Sequence, residues 1–225
     1  MQSRLGLPQF FLCSRWLPRA AGLAPATGAV RQALLAQARE IFLTQGGAPE
    51  MEAFDAAHAF WLEDYALYVA LRQEHAHRAW WQWPEPVRDR APAALAEARS
   101  RHADDLALVR FEQFVFFRQW HELRRAAQTR GVQLFGDLPI FVAHDSADVW
   151  AQRDYFDLDA AGQPRVVAGV PPDYFSPTGQ RWGNPLYNWT RLQADGFRWW
   201  IERLRTQLDL FDLVRIDHFR GFEAC

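Results

Sequence analysis

The residues best suited to chemistry lie in Leu213-Val214-Arg215-Ile216-Asp217-His218-Phe219-Arg220-Gly221, where an apolar run ends in a carboxylate. Alternation along a strand puts Leu213, Arg215 and Asp217 on one face and Val214 and Ile216 on the other. The run reads as a buried strand. An Arg and an Asp two apart on such a face are expected to pair, because burying either charge alone is costly. The guanidinium favours the ionised form of the acid. A carboxylate held ionised at a strand end is what a nucleophile, or a stabiliser of an oxocarbenium ion, requires. A purely structural ion pair would leave the same pattern, so the rest of the chain must decide.

A second chemical stretch runs from Gly169 to Trp189. It is too long and too aromatic for a passive connector, and long loops in compact domains are commonly lids or binding loops. Tyr174, Phe175, Trp182 and Tyr187 offer ring faces, and Asp173 and Asn184 offer polar atoms suited to hydroxyls. That mixture suits a sugar, although an Ω-loop packed by its own side chains has the same composition. Asp137 ends a shorter apolar run, Val132 to Phe135, and occupies a comparable strand-end position. His144, Asp145 and Asp148 suggest a metal cluster, but the spacing matches no ligand motif and Asp145-Ser146 before Ala147 also reads as a helix cap. No metal is expected. His75 and His77, two apart, face away from each other on a helix.

Several classes are excluded. All 25 basic side chains other than His are Arg, so lysine Schiff-base chemistry and a P-loop lysine are ruled out. No serine elbow, phosphate loop or dinucleotide fingerprint is present. A formal charge of −2 gives no electrostatic reason to expect nucleic acid or an acidic membrane. No run approaches the length of a membrane span, and Pro8 and Gln9 interrupt the one apolar patch that could serve a signal peptide. The two cysteines, Cys13 and Cys225, form no metal or redox spacing, which suits a reducing compartment. Eleven Trp and seventeen Phe are more than a core of this size needs and hint at apolar ring ligands such as sugar faces; an aromatic core gives the same count.

The elements that must position these residues fall into three stretches. Residues 1–29 show no clean period and read as irregular. Residues 30–130 read as a helical subdomain, with helices over 30–42, 50–75, 92–108 and 106–130 and an aromatic break at Ala79 to Pro86. The character changes at Gly131. A strand, a long excursion, a helix over 192–208 with Phe197, Trp200, Ile201, Leu204 and Leu208 on one stripe, and the opening strand make a parallel β–α–β unit. Acids at the carboxyl ends of such strands are the usual place for chemistry, and Asp137 and Asp217 both lie there.

These residues resemble a known family. Gly136 to Trp150, Val167 to Trp189, and Leu213 to Ala224 are similar to the 4-α-glucanotransferases (amylomaltases) of glycoside hydrolase family 77; Trp61 to Leu67 and Trp83-Pro84 resemble their helical subdomain. The likeness covers roughly 50–224. It implies an α/β chain forming part of a (β/α)8 TIM barrel, strands 3 and 4, with an inserted helical subdomain. By motif, Asp217 matches the nucleophile and Arg215 its ion-pair partner. Pro172 to Trp182 matches the mobile active-site loop, Asp137 lines the donor site, and His218 joins the substrate-binding set. The resemblance further implies α-1,4-glucans and maltooligosaccharides as substrates, glucose as an acceptor, no cofactor, no nucleic-acid or membrane partner, and a cytoplasmic location. A retaining mechanism needs a second carboxyl about 5–5.5 Å from the nucleophile. The family's acid/base Glu lies beyond the Arg-Ile-Asp strand, Glu223 sits in the wrong motif to replace it, and residues 1–30 hold no counterpart of the first barrel strand. The expectation is therefore a fragment, catalytically silent alone. The alternatives are a non-catalytic glucan-binding remnant and an α-amylase-like hydrolase.

Overall fold

The computed structural model describes residues 28–172, 174 and 176–222; the expectations for residues 1–27, Asp173, Phe175, Glu223 and Cys225 lie outside the described residues. The first half is helical: α1 (Gly28–Thr44), α2 (Ala48–Ala57), α3 (Leu62–Glu74), the short α4 (Glu85–Arg88), α5 (Pro92–Arg101) and α6 (Ala103–Gln128). Pro49, Pro86 and Pro92 sit at the starts of α2, α4 and α5, where the missing N–H costs nothing. The single helix expected over 50–75 is broken between Ala57 and Leu62. The break serves two cores. Met51 and Phe54 pack with Leu35, Phe42, Phe111 and Phe114, whereas α3 turns Leu62, Leu67, Tyr68 and Leu71 inward elsewhere.

The second half begins with β1 (Phe135–Leu138), followed by α7 (Ala147–Ala151), the antiparallel pair β2 (Val167–Val170) and β3 (Gln180–Pro185), α8 (Trp189–Ala194), α9 (Arg198–Leu210) and β4 (Leu213–Ile216). β1 and β4 pair in parallel, with Asp137 opposite Arg215. The chain is thus helix-rich α/β with few strands. β4 is less buried than its composition suggests. Leu213 and Arg215 are exposed and Val214 and Ile216 half-buried, because β1 is its one strand neighbour among the described residues.

The helix expected over 192–208 is also two helices. Gly196 and Phe197 take φ of +69° and +59° and end α8 in the left-handed region, where glycine carries no Cβ penalty. The restart rotates the face. α9 buries Trp199, Trp200, Arg203, Gln207 and Leu210, while Ile201 and Leu208 of the expected apolar stripe face out. One large core draws on both halves, joining Leu67, Leu71, Trp80 and Trp83 to Trp150, Leu192, Trp199 and Trp200. Trp80, Trp83, Trp150, Trp199 and Trp200 are therefore core residues, which accounts for part of the aromatic surplus. Ser146 caps α7, its Oγ accepting from the Val149 amide, which resolves the Asp145-Ser146 alternative in favour of a cap. No helix among the described residues is long and apolar enough to cross a membrane.

Candidate active site

The strand register assembles the site. With Asp137 aligned on Arg215, the guanidinium meets the Asp137 carboxylate through two hydrogen bonds, Nε to Oδ1 at 3.1 Å and Nη2 to Oδ2 at 2.7 Å. The same Nη2 lies 3.3 Å from Asp217 Oδ2. Arg215 is thus a bridge between two carboxylates, and its bidentate partner is Asp137 rather than the Asp217 that the sequence pairs with it. The reason is geometric. Residues two apart on one strand stand about 6.5–7 Å apart along it, whereas a cross-strand neighbour lies within about 5 Å. The hydrogen bonds from Arg215, opposed by slight burial and aided by the Arg215 and His218 charges, hold the Asp137 carboxyl below the usual range. Asp137 is accordingly a fixed anion and no proton donor.

Asp217 ends β4. Its Oδ1 accepts the His218 amide at 2.8 Å, and its Oδ2 faces Arg215 and, at 3.8 Å, His218 Nε2. His218 turns the chain with φ +50°, a conformation that is uncommon outside glycine. Both oxygens of Asp217 are therefore oriented, while about half of its side-chain surface stays open.

The loop residues separate into two groups. Trp182 on β3 reaches the site: its ring centroid lies 4.7 Å from that of His218, and its indole N–H donates to Gln180 Oε1. Tyr174 is 98% exposed at the hairpin end. Tyr187 and Asn184 point the other way. Tyr187 is buried in the core and donates its hydroxyl to the Ile140 carbonyl at 2.6 Å, so it is a packing residue in this structure instead of a ring face offered to a ligand. Asn184 donates Nδ2 to the Val142 carbonyl at 2.8 Å, and its amide is already engaged in holding the loop. Asp173 and Phe175 are outside the described residues.

Phe141 is a neighbour the sequence reading passed over. It is buried between Trp182, at 6.3 Å, and Tyr187, at 6.0 Å, under the turn Phe219–Phe222. Gly221 allows that turn to close, since a Cβ there would lie 3.0 Å from Ile140 and 3.2 Å from Phe141. The signal was present in Ile140-Phe141-Val142, an apolar run directly after the Asp137 strand. His144 and Asp145 lie apart from this centre, holding Trp80 and Arg72, and no group of three or more His, Cys, Asp or Glu among the described residues could hold a metal.

Comparison with known proteins gives one answer. The family model for 4-alpha-glucanotransferase, glycoside hydrolase family 77, matches residues 24–225. A 4-alpha-glucanotransferase of Thermus thermophilus is 55% identical over 186 residues, which is 81% of this chain and 37% of that protein. One of Aquifex aeolicus is 48% identical over 174 residues, 77% of this chain and 36% of the relative. Among solved structures, an amylomaltase of Streptococcus agalactiae in complex with acarbose superposes with a TM-score of 0.79 at 36% identity. It covers 85% of this chain and 39% of its own length is matched. An amylomaltase of Corynebacterium glutamicum shares the fold, with a TM-score of 0.63 at 23% identity over 86% of this chain and 25% of its own. The chain spans little more than a third of the length of these curated relatives. On the family match across residues 24–225 and the identity to named relatives, the chain belongs to the 4-alpha-glucanotransferase family.

Proposed function

We propose that the protein transfers a segment of an α-1,4-glucan to the 4-hydroxyl of glucose or of another α-1,4-glucan, by retaining double displacement with Asp217 as nucleophile. The observation that carries this reading is the Asp217 carboxylate at the end of β4, oriented by the His218 amide and Arg215 and facing a tryptophan-bearing hairpin. In the first step Asp217 bonds to the anomeric carbon as the C1–O4 bond breaks, and the departing O4 takes a proton from a general acid. In the second, the acceptor's 4-oxygen bonds to C1 and returns its proton to that group, and the ester to Asp217 breaks. Asp137 is unsuited to the acid role because Arg215 keeps it ionised. We assign that role to a Glu C-terminal to β4, as the family resemblance implies. Transfer outcompetes hydrolysis where water is excluded, a role this reading gives to Trp182 and the β2–β3 hairpin, supported by the ring contact of Trp182 with His218.

In this reading β1 and β4 are strands 3 and 4 of a (β/α)8 barrel, residues 131–225 belong to the barrel, and residues 30–130 form the inserted helical subdomain. Trp182, Tyr174, His218, Asp137, Asp173 and Phe175 contact glucan. The enzyme uses no cofactor and works in the cytoplasm. The structural neighbour from Streptococcus agalactiae is an amylomaltase in complex with acarbose, which supports a sugar as the ligand class.

The test is maltotriose with the intact protein. Glucose together with products longer than maltotriose is the expected outcome, and Asp217→Asn is expected to abolish both. Undiminished transfer by Asp217→Asn would remove Asp217 from its role. Release of glucose and maltose with no longer product would favour an α-amylase-like hydrolase. A tryptophan-fluorescence response to maltoheptaose without turnover would favour a glucan-binding protein.

A further inference from the structure

The segment after β1 belongs to no strand, yet behind an exposed Pro139 its residues Ile140, Phe141 and Val142 are each under 7% exposed. Buried carbonyls without partners are costly. Here three side chains from other elements supply the partners. Arg203 of α9 donates Nη2 to the Pro139 carbonyl at 2.5 Å. Tyr187 donates to Ile140 at 2.6 Å, and Asn184 donates to Val142 at 2.8 Å. Arg203 Nη1 also donates to the Tyr187 hydroxyl at 3.3 Å, joining two rungs of this ladder.

Arg203 is an odd choice for packing alone. It is 8% exposed, its guanidinium lies over the faces of Trp199 and Trp200 at 5.2 and 5.1 Å, and its Nε has no hydrogen-bond partner among the described residues. An apolar side chain of similar volume would avoid the cost of a desolvated and incompletely satisfied cation. What an apolar residue could not do is span the Pro139 carbonyl and the Tyr187 hydroxyl with one rigid fork. Each of those two anchors is close in sequence to a residue of the candidate site. Pro139 is two residues from Asp137, and Tyr187 is two residues beyond the hairpin strand that carries Trp182. The floor so held, Ile140 and Phe141, is also what Gly221 closes against after Asp217.

We infer that Arg203 is a positioning residue for the glucanotransferase site. Through the Pro139 carbonyl and Tyr187 it locks the segment after Asp137 to the foot of the Trp182 hairpin, and thereby fixes Arg215 and Asp217 relative to the hairpin. The link to catalysis rests on the proposed function; the mechanical link does not. Two variants test it. Arg203→Lys keeps the positive charge that acts on the Asp148 carboxyl but replaces the fork with a single ammonium, and Tyr187→Phe keeps the ring and removes the hydroxyl. Hydrogen exchange on each variant should accelerate in peptides spanning 139–142 and 184–188 while α3 and α6 keep their rates. In the intact protein, at a temperature where circular dichroism shows both variants folded, kcat on maltotriose should fall about tenfold for Arg203→Lys and less for Tyr187→Phe, since small misplacements of reacting groups are expensive. Exchange that rises uniformly, or not at all, would overturn the lock. Local acceleration with unchanged kcat would overturn the positioning role. If wild-type protein transfers no glucan, the functional reading fails, and the exchange pattern alone decides for or against the lock.

Discussion

Arg215 shows how a single side chain is divided between two tasks. With two hydrogen bonds to Asp137 and one oxygen of Asp217 at 3.3 Å, it orients the candidate nucleophile without saturating it. Both Arg215 and Asp137 are about half exposed, so solvent screening leaves the pair little to add to stability. Its value lies in orientation. Asp137→Asn removes one charge and leaves an amide that can accept a single hydrogen bond. Arg215 is then expected to swing onto Asp217 and make it a poorer nucleophile. We predict that kcat on maltotriose falls on the order of tenfold, with the urea midpoint nearly unchanged. Full activity in this variant would show that Asp137 is dispensable. The sequence made this constellation partly legible. Arg215 and Asp217 could be seen on one face of a strand, and Asp137 at the end of another. Which acid the arginine prefers was not legible, because that depends on the parallel register of two strands 78 residues apart. Tyr187 and Asn184 illustrate the reverse. Their types suit a sugar, but their donors are used on backbone carbonyls that only the folded chain brings near.

At the scale of elements, β4 was readable as an apolar run leading to an acid. The strand expected at Val132 to Phe135 forms instead at Phe135–Leu138 with Asp137 inside it, where the register with β4 places it, and the break between α8 and α9 was not readable. A periodic apolar stripe can be drawn through Ile201 and Leu208, yet the helix turns Arg203 and Gln207 inward, because the hydrogen bonds of Arg203 and the flanking tryptophans outweigh apolar count. The β2–β3 hairpin was hidden for a different reason: its Gly and Pro content leaves no period-two alternation. Close packing also sets the placement of β1. Gly136 faces the Phe211 ring so tightly that an added Cβ would lie 2.3 Å from Phe211 Cδ2 and 2.5 Å from Cγ, and that ring is backed by Trp120 at 5.5 Å. Gly136→Ala should cost about 1–3 kcal/mol by overpacking, read as a lower urea midpoint. A neutral result would mean that Phe211 repacks freely. The helical half carries a pH-sensitive corner. His102, between α5 and α6, lies 2.9 Å from Glu74 of α3 and 3.0 Å from Asp105, with Arg101 also on Glu74. Burial opposes its charge, but the hydrogen bonds and charges of Glu74 and Asp105 prevail and raise its pKa. A raised histidine stabilises fully below its unfolded value, about 6.5, and the gain disappears as pH climbs through the folded value. The stability gap between wild type and His102→Gln should therefore be wide at pH 5.5 and close by alkaline pH. Urea midpoints at the two pH values measure it, and a gap that widens with pH would reverse the assignment.

The whole molecule holds together at a junction between its helical and strand-bearing halves. Asp145 receives the Tyr68 hydroxyl at 2.8 Å, Arg72 Nη1 at 2.5 Å and the Trp80 amide at 3.3 Å. Beside it the Trp80 indole donates to the His144 carbonyl at 2.7 Å, and the His144 ring stacks on Trp81 at 3.9 Å. The residues that looked like metal ligands in the sequence thus clamp the aromatic break at Trp80 to the region after β1, across sequence distances of 64 to 77 residues. Asp145→Ala leaves the half-buried Arg72 and the buried Tyr68 without their shared acceptor, a loss of about 2–3 kcal/mol. Because one core draws on both halves, that loss should appear as a single unfolding transition moved to lower urea with its steepness preserved. Asp145→Asn, which keeps one acceptor oxygen, should fall between. Were Asp145→Ala to melt in two separate steps, the halves would be independent units that merely touch, and the shared core would have to be regarded as an interface. If one step moves as a whole, the helical half is part of the framework that sets where β1 and β4 lie, and so where Asp137 and Asp217 meet Arg215.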